Sequence, residues 1–194
     1  MITGLILAAG ESSRMGRDKA LLPYRGRIFL ETIIKTLHDS GIERIVVVLG
    51  HHAEEIRQAV DLEGVETVVN PDYQRGQTSS LQAGLKALMC ADLEAIMLCL
   101  VDHPAVTSAT VLKLVESFLT TPAPVVIPTH QGQRGHPVLI ARALFPELLA
   151  LGSGEGANTV IRKYRDQTRF VEVDDPGILL DVDEPDTYSH METQ

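Results

Sequence analysis

The chain has 194 residues, 44% of them apolar and 22% charged, with a formal charge of −9; this suffices for one sizeable core, and a single domain over 1–194 is expected. The acidic balance argues against a nucleic-acid partner, whose phosphates require a basic face; no apolar run is long enough for a membrane span and the N-terminus lacks a signal-peptide flank, so no membrane partner and a cytoplasmic location are expected. Cys90 and Cys99 are too few and too poorly spaced for a zinc site or a disulfide framework, and Cys99 sits in an apolar run where a buried, inert thiol is expected.

In chain order, Ile2 to Ala8 reads as a buried first strand, followed by the loop Ala9-Gly10-Glu11-Ser12-Ser13-Arg14-Met15-Gly16-Arg17-Asp18-Lys19. Small residues leave successive backbone N–H groups free to face an anion, and arginine and lysine add charge, so the loop suits a polyphosphate. It is neither a Walker A loop nor GxGxxG, because Gly10 and Gly16 lie too far apart and Lys19 follows too late. Leu21 to Arg27 reads as extended, with a turn at Arg25-Gly26. Ile28 to Ser40 has helical spacing and stops at Gly41.

Arg44 to Leu49 is a β-branched run expected of a strand covered on both faces. Helices are predicted over Ala53 to Asp61, Thr78 to Met89 and Thr107 to Leu119, with strands over Val65 to Val69 and Ala95 to Val101 between them. Val125 to Pro128 and Pro137 to Ile140 read as short strands around a polar excursion, Thr129 to His136. Arg142 to Leu151 and Ala157 to Tyr164 read as helices, and Arg169 to Val173 and Ile178 to Val182 as the closing strands. A last helix is expected from Pro185. Alternating strands and helices predict an α/β fold with a mostly parallel sheet and helices on both faces. In such a sheet ligands sit at the carboxyl ends of the strands, where Gly10 to Lys19, His51-His52, Asp102-His103 and Asp181 to Asp183 all fall.

Several polar residues carry two readings each. Asp102, in Leu100-Val101-Asp102-His103-Pro104, is either a turn-former before proline or a ligand for Mg²⁺, which prefers hard oxygens and one or two carboxylates. Asp183 either caps the helix at Pro185 or supplies the second carboxylate; Asp181, two residues earlier on the same predicted strand face, is a weaker candidate. Asn70 to Leu81 reads as a turn with Thr78 or Ser79 capping a helix, whose hydroxyls and N-terminus can also meet a nucleotide. His51-His52 prompts a metal reading, but adjacent histidines at a strand end should face opposite ways. No serine or cysteine is set up as a nucleophile.

Leu7-Ala8-Ala9-Gly10 followed by Arg14-Met15-Gly16 and Lys19 resembles the signature loop of nucleotidyltransferases that load an NTP onto a phosphorylated acceptor. Within these it most resembles the molybdenum cofactor nucleotidyltransferase family, and the resemblance extends from Leu7 to Tyr188. It implies a three-layer Rossmann-like nucleotidyltransferase fold, with Arg14, Lys19 and Asp102 as catalytic residues. It also implies nucleotide contacts from Leu7, Ala8, Ala9, Gly10, Arg14, Lys19, Thr78, Ser79 and Ser80. Asp102 and Asp183 become the implied Mg²⁺ ligands; Asp183-Glu184-Pro185-Asp186 departs from the family's usual segment by having Glu184 in place of Thr. The Gly135-His136-Pro137 and Gly152 to Gly156 loops are implied to border the acceptor, with His103 and His136 as candidate contacts.

Family members that use CTP carry Leu-Ala-Ala-Gly and those that use GTP carry Leu-Ala-Gly-Gly, so Ala9 implies CTP. The implied partners are CTP, or else GTP, a molybdopterin-type acceptor and a molybdoenzyme receiving the product. The rival readings are a cytidylyl or sugar-nucleotide transferase with another phosphorylated acceptor, and a non-catalytic carrier of a nucleotide cofactor.

Overall fold

The computed structural model of the chain describes residues 1–12, 17–89, 92–183 and 188. Arg14 and the helix expected from Pro185 lie outside the described residues, as does Cys90.

Strand β1 (Ile2–Ala8) is buried along almost its whole length and lies between β4 (Ile45–Leu49) and β6 (Ala95–Leu100), parallel to both. Beyond β4 comes β5 (Glu66–Val69), also parallel. On the other flank the order continues through β9 (Val138–Ala141), β7 (Val125–His130) and β10 (Arg169–Glu172). β9 runs antiparallel to β6 and β7, whereas β10 is parallel to β7. A separate hairpin, β2 (Pro23–Tyr24) and β3 (Arg27–Ile28), turns through Arg25 and Gly26. Both turn residues have positive φ, 48° and 80°, the conformation that a two-residue hairpin requires and that glycine accepts readily.

The period of two along each strand divides the core into two layers. Ile6, Ala8, Val47, Leu49, Met97 and Cys99 face one side, where they meet α1 (Phe29–Asp39), α2 (Ala53–Ala59) and α4 (Ser108–Thr120). Leu5, Leu7, Val46, Val48, Ile96 and Leu98 face the other, against α3 (Gln77–Ala87), α5 (Phe145–Leu149) and α6 (Ala157–Lys163). This explains why β1 and β4 read as unbroken apolar runs: neither face meets water. Leu5 is fully buried, and truncating it to alanine would cost about 2–5 kcal/mol. The result is the expected three-layer, Rossmann-like α/β arrangement, with a mixed sheet that is parallel around β1. Among the described residues, no helix is long and apolar enough to cross a membrane.

Three expectations are corrected. Ile178 to Val182 does not close the sheet as a strand; Pro176–Leu179 forms a 3₁₀ turn, capped by Asp175, whose Oδ1 accepts from Gly177 N at 2.9 Å. Proline early in the segment and the Asp175 cap favour a tight helical turn over ladder pairing. Arg142 to Leu151 is broken into a 3₁₀ turn (Arg142–Leu144) and the short α5. The polar excursion of 129–136 is a hairpin, in which β7 extends to His130 and pairs with β8 (Gln133–Arg134).

Candidate active site

The parallel register of β1 and β6 sets Leu7 beside Leu100, so the loop after β1 and Asp102 after β6 leave the sheet side by side. The strand order turns around at β1, and at that switch the exiting loops diverge and leave a crevice. A cavity of about 420 Å³ lies there, lined by Leu7, Ala8, Ala9 and Gly10 at and just beyond the end of β1 and by Leu100, Val101 and Asp102 at and just beyond the end of β6. Ser12, Asp18, Lys19, Tyr73, Gly76, Gln77, Ser80 and Asp183 complete it. Gly50 explains how β4 comes so close: a Cβ there would lie 2.3 Å from the Ala9 carbonyl oxygen.

Lys19 is held from both ends. Its backbone N–H donates to Ser12 Oγ at 3.0 Å, and Asp18 caps the 3₁₀ turn Lys19–Leu21 by accepting from Ala20 N at 2.9 Å. Asp18 is buried, and its second oxygen faces His52 Nδ1 at 3.0 Å. The Lys19 ammonium pairs with Asp183 in a short contact and stands 3.5 Å from Asp102. The side chain is only 11% exposed, so this cation is fixed rather than waving in solvent.

The residues around Asp102 form an acidic cluster. Its Oδ1 meets His103 Nδ1 at 2.9 Å. Burial raises the Asp102 carboxyl, but the hydrogen bond and charge of His103, together with Lys19, bring it net below the ordinary range. Asp181 is shifted the opposite way, raised by burial and by repulsion from Asp102 and Asp183. Potential ligand atoms of Asp102, His103 and Asp181 all lie within 4.8 Å of one another. The segment carrying Asp181 and Asp183 reaches this place without a strand: Val182 N donates to the Asp102 carbonyl at 3.0 Å, and the fully buried Val182 side chain packs with Leu22, Tyr24 and Phe29. The strand-face argument for Asp181 therefore fails, although the proximity it aimed at is present.

The three hydroxyls at the start of α3 have separate fates. Ser80 lines the cavity, and its Oγ accepts from Asn70 Nδ2 at 3.0 Å. Ser79 accepts from the same amide at 2.9 Å and donates back into the preceding turn. Thr78 donates to the Glu155 carbonyl, which ties α3 to the Gly152–Gly156 loop. Neither Thr78 nor Ser79 caps the helix; Gly76 occupies the N-cap position. Asn70 is buried and orders this corner, a role its position in a turn did not reveal. Nor do His51 and His52 diverge, because they lie in a turn: their rings stack edge-on at 4.2 Å, and His51 Nδ1 meets Tyr73 hydroxyl at 2.8 Å.

A second cavity, about 410 Å³, adjoins the first and shares Gln77 and Leu100 with it. Arg134, Gly135, His136, Asn158, Arg162, Arg165 and Phe170 are among its lining residues. Of the two candidate acceptor histidines, His136 faces this cavity, while His103 lies behind it against Asp102 with its ring 4.9 Å from that of His136. Burial, and the nearby charge of His103, push the His136 imidazole down to about 4. Its buried Nδ1 has no hydrogen-bond partner.

A three-layer sheet, a small-residue loop after its first strand, and a fixed lysine facing carboxylates define a nucleotidyltransferase. The chain belongs to the MobA-like NTP transferase domain family, which it matches over residues 4–168. It is 34% identical, over 94% of its length and 92% of the relative's, to the nicotine blue oxidoreductase of Paenarthrobacter nicotinovorans. It is 29% identical to the molybdenum cofactor cytidylyltransferase of Escherichia coli, over 95% of this chain and 92% of that one. The crystal structure of Rv0371c from Mycobacterium tuberculosis superposes with a TM-score of 0.87 at 30% identity, covering 100% of this chain and 98% of that one. The same mycobacterial protein has also been solved in complex with manganese, with a TM-score of 0.81 and coverage of 98% and 97%.

Proposed function

We propose that the protein transfers CMP from CTP to a molybdopterin-type acceptor, in a Mg²⁺-dependent reaction that releases pyrophosphate. The observation that carries this reading is the mostly covered Lys19 ammonium beside Asp102 and Asp183 in the cavity lined by Gly10. Asp102, Asp181 and Asp183 converge there, and burial and repulsion from the other two carboxylates push Asp181 toward its protonated form, a repulsion that a hard divalent cation would relieve. Asp102 and Asp183 would hold Mg²⁺, with Asp181 beside them. Bound there, the ion would supply neutralisation of phosphate charge.

The remaining work belongs to the chain. Backbone N–H groups of the Ala9-Gly10 loop cradle the triphosphate, and Lys19 and Arg14 hold its oxygens. Lys19 serves both states from one position: its ammonium neutralises Asp102 and Asp183, and the same held charge faces the incoming phosphate. Ser80 and the start of α3 orient the nucleoside. An oxygen of the acceptor's phosphate attacks the α-phosphorus in line, its bond to the β-phosphate oxygen breaks, and pyrophosphate departs with that electron pair. Fixed charges aimed at such a centre usually provide the largest share of rate enhancement.

The test is pyrophosphate release from CTP, GTP, ATP and UTP with Mg²⁺ or Mn²⁺, each with and without molybdopterin. Release confined to CTP plus molybdopterin supports the reading, and release with another base or acceptor replaces that part of it. The similarity to a nicotine blue oxidoreductase over nearly the full chain favours a second reading, oxidoreduction of nicotine blue. Consumption of a reduced nicotinamide dinucleotide with nicotine blue, and no pyrophosphate release, would establish that one instead.

A further inference from the structure

Asp175 is a buried carboxylate that no step of the proposed reaction uses, and it does not line the nucleotide cavity. Its Oδ2 accepts from Thr107 N at 2.9 Å, Thr107 Oγ1 at 2.8 Å and Thr110 Oγ1 at 2.6 Å, and its Oδ1 accepts from Gly177 N at 2.9 Å. None of these donors is a cation. A carboxylate filled by neutral N–H and O–H groups on both oxygens is held in one orientation.

These bonds join two particular stretches of chain. Thr107 and Thr110 end the stretch that Asp102 begins, whereas Asp175 begins the stretch that ends in Asp181 and Asp183. At the other end, Val182 N donates to the Asp102 carbonyl at 3.0 Å. Between the two fastenings the backbones touch: a Cβ on Gly177 would lie 2.3 Å from the Ala105 carbonyl oxygen. The stretches therefore lie side by side in opposite directions, with Thr107 at Asp175, Ala105 at Gly177 and Asp102 at Val182. What the fastening opposes is repulsion. Burial and the charges of Asp102 and Asp183 push Asp181 toward its protonated form, and like charges this close drive their segments apart unless other bonds hold them.

We infer that Asp175 is a positioning residue for divalent-cation binding: with Thr107 and Thr110 it clamps the Asp181–Asp183 segment against the Asp102 segment, so that the carboxylates are assembled before the ion arrives. The assignment rests on the Mg²⁺ reading of the proposed function and deepens it, because the work of gathering the carboxylates falls on folding rather than on binding.

The experiment titrates Mn²⁺ alone into the full chain without nucleotide, following loss of the free-ion EPR signal, with a metal-free thermal melt of each variant beside it. Thr110→Val removes one donor and keeps the shape; Asp175→Asn keeps the size but turns an NH₂ toward groups that are themselves donors. Each should raise the Kd for Mn²⁺ by about tenfold at a temperature where the melt shows it folded. Thr110→Ser, which keeps the hydroxyl, should bind as wild type does. Thr110→Val leaves the other bonds to Asp175 in place, so it decides the matter if Asp175→Asn does not fold. A lowered Tm with an unchanged Kd in Thr110→Val overturns the assignment, and so does an equal loss of affinity in Thr110→Ser. Wild type that holds no Mn²⁺ overturns the metal reading and this assignment with it; wild type and variants that hold it equally overturn this assignment alone.

Discussion

The two cavities differ in how their charge is balanced. In the nucleotide cavity each charged lining residue among those described already has an internal partner: Lys19 with Asp102 and Asp183, Asp18 with His52, Asp102 with His103. In the second cavity Arg134, Arg162 and Arg165 wait for charge to arrive. A site that must align a triphosphate with a nucleophile gains from fixed groups that need no reorganisation during reaction. A site that only has to hold a substrate can leave its charge to the ligand. The lysine belongs to the first kind and the arginines to the second.

The largest test of that contrast is removal of the fixed charges. Lys19→Ala or Asp102→Ala should lower kcat by at least about 10³-fold while leaving the fold intact by circular dichroism. Wild-type-like turnover in either variant would break the division. Next comes salt. The exposed arginines of the second cavity should lose affinity for an anionic probe such as inorganic phosphate steeply as ionic strength rises, because the screening length falls from about 8 Å at physiological salt to about 3 Å at 1 M. Nucleotide affinity at saturating Mg²⁺ should fall less, and parallel declines would erase the distinction.

Smaller effects sharpen the nucleotide side. Ala9→Gly should permit some use of GTP, and an unchanged CTP-to-GTP ratio of kcat/KM would count against reading CTP from Ala9. Asp18→Ala removes the cap of the turn that carries Lys19, and should lower stability by about 1 kcal/mol in a denaturant melt. The smallest effect is a control far from both cavities. Glu66 is held below the usual 4.5 by its hydrogen bond from Arg44, so its contribution is present above the ordinary glutamate range and fades as pH falls through the lowered value. Replacing Arg44 by alanine should flatten that acid limb of Tm without touching turnover near neutrality.

Most of the scaffold was legible because the core is two-sided. Unbroken apolar runs at β1, β4 and β6 can only be covered strands, and the residues after them mark the crevice. What escaped was whatever depends on a single tertiary bond. Nothing local in Asp181-Val182-Asp183 says that Val182 N reaches the Asp102 carbonyl, so the segment looked like one more strand. Asn70 looked like a turn residue, yet its amide feeds both Ser79 and Ser80. The arginines of the second cavity lie on β8, on α6 and in the turn after it, and only the hairpin and the α6 packing bring them to one hollow. The end of β1 and the start of the loop after it were readable as a local pattern; the cavity beside them was an outcome of folding.

The shared wall of Gln77 and Leu100 has a consequence for the end of the proposed reaction. Once the two substrates are joined, one molecule occupies both hollows, and each half holds the other near its own site at high effective concentration. The product then leaves more slowly than either substrate alone. In the proposed reaction turnover in isolation would be paced by that departure, and a receiving protein that draws the product out by one end would speed the cycle without touching the bond that forms.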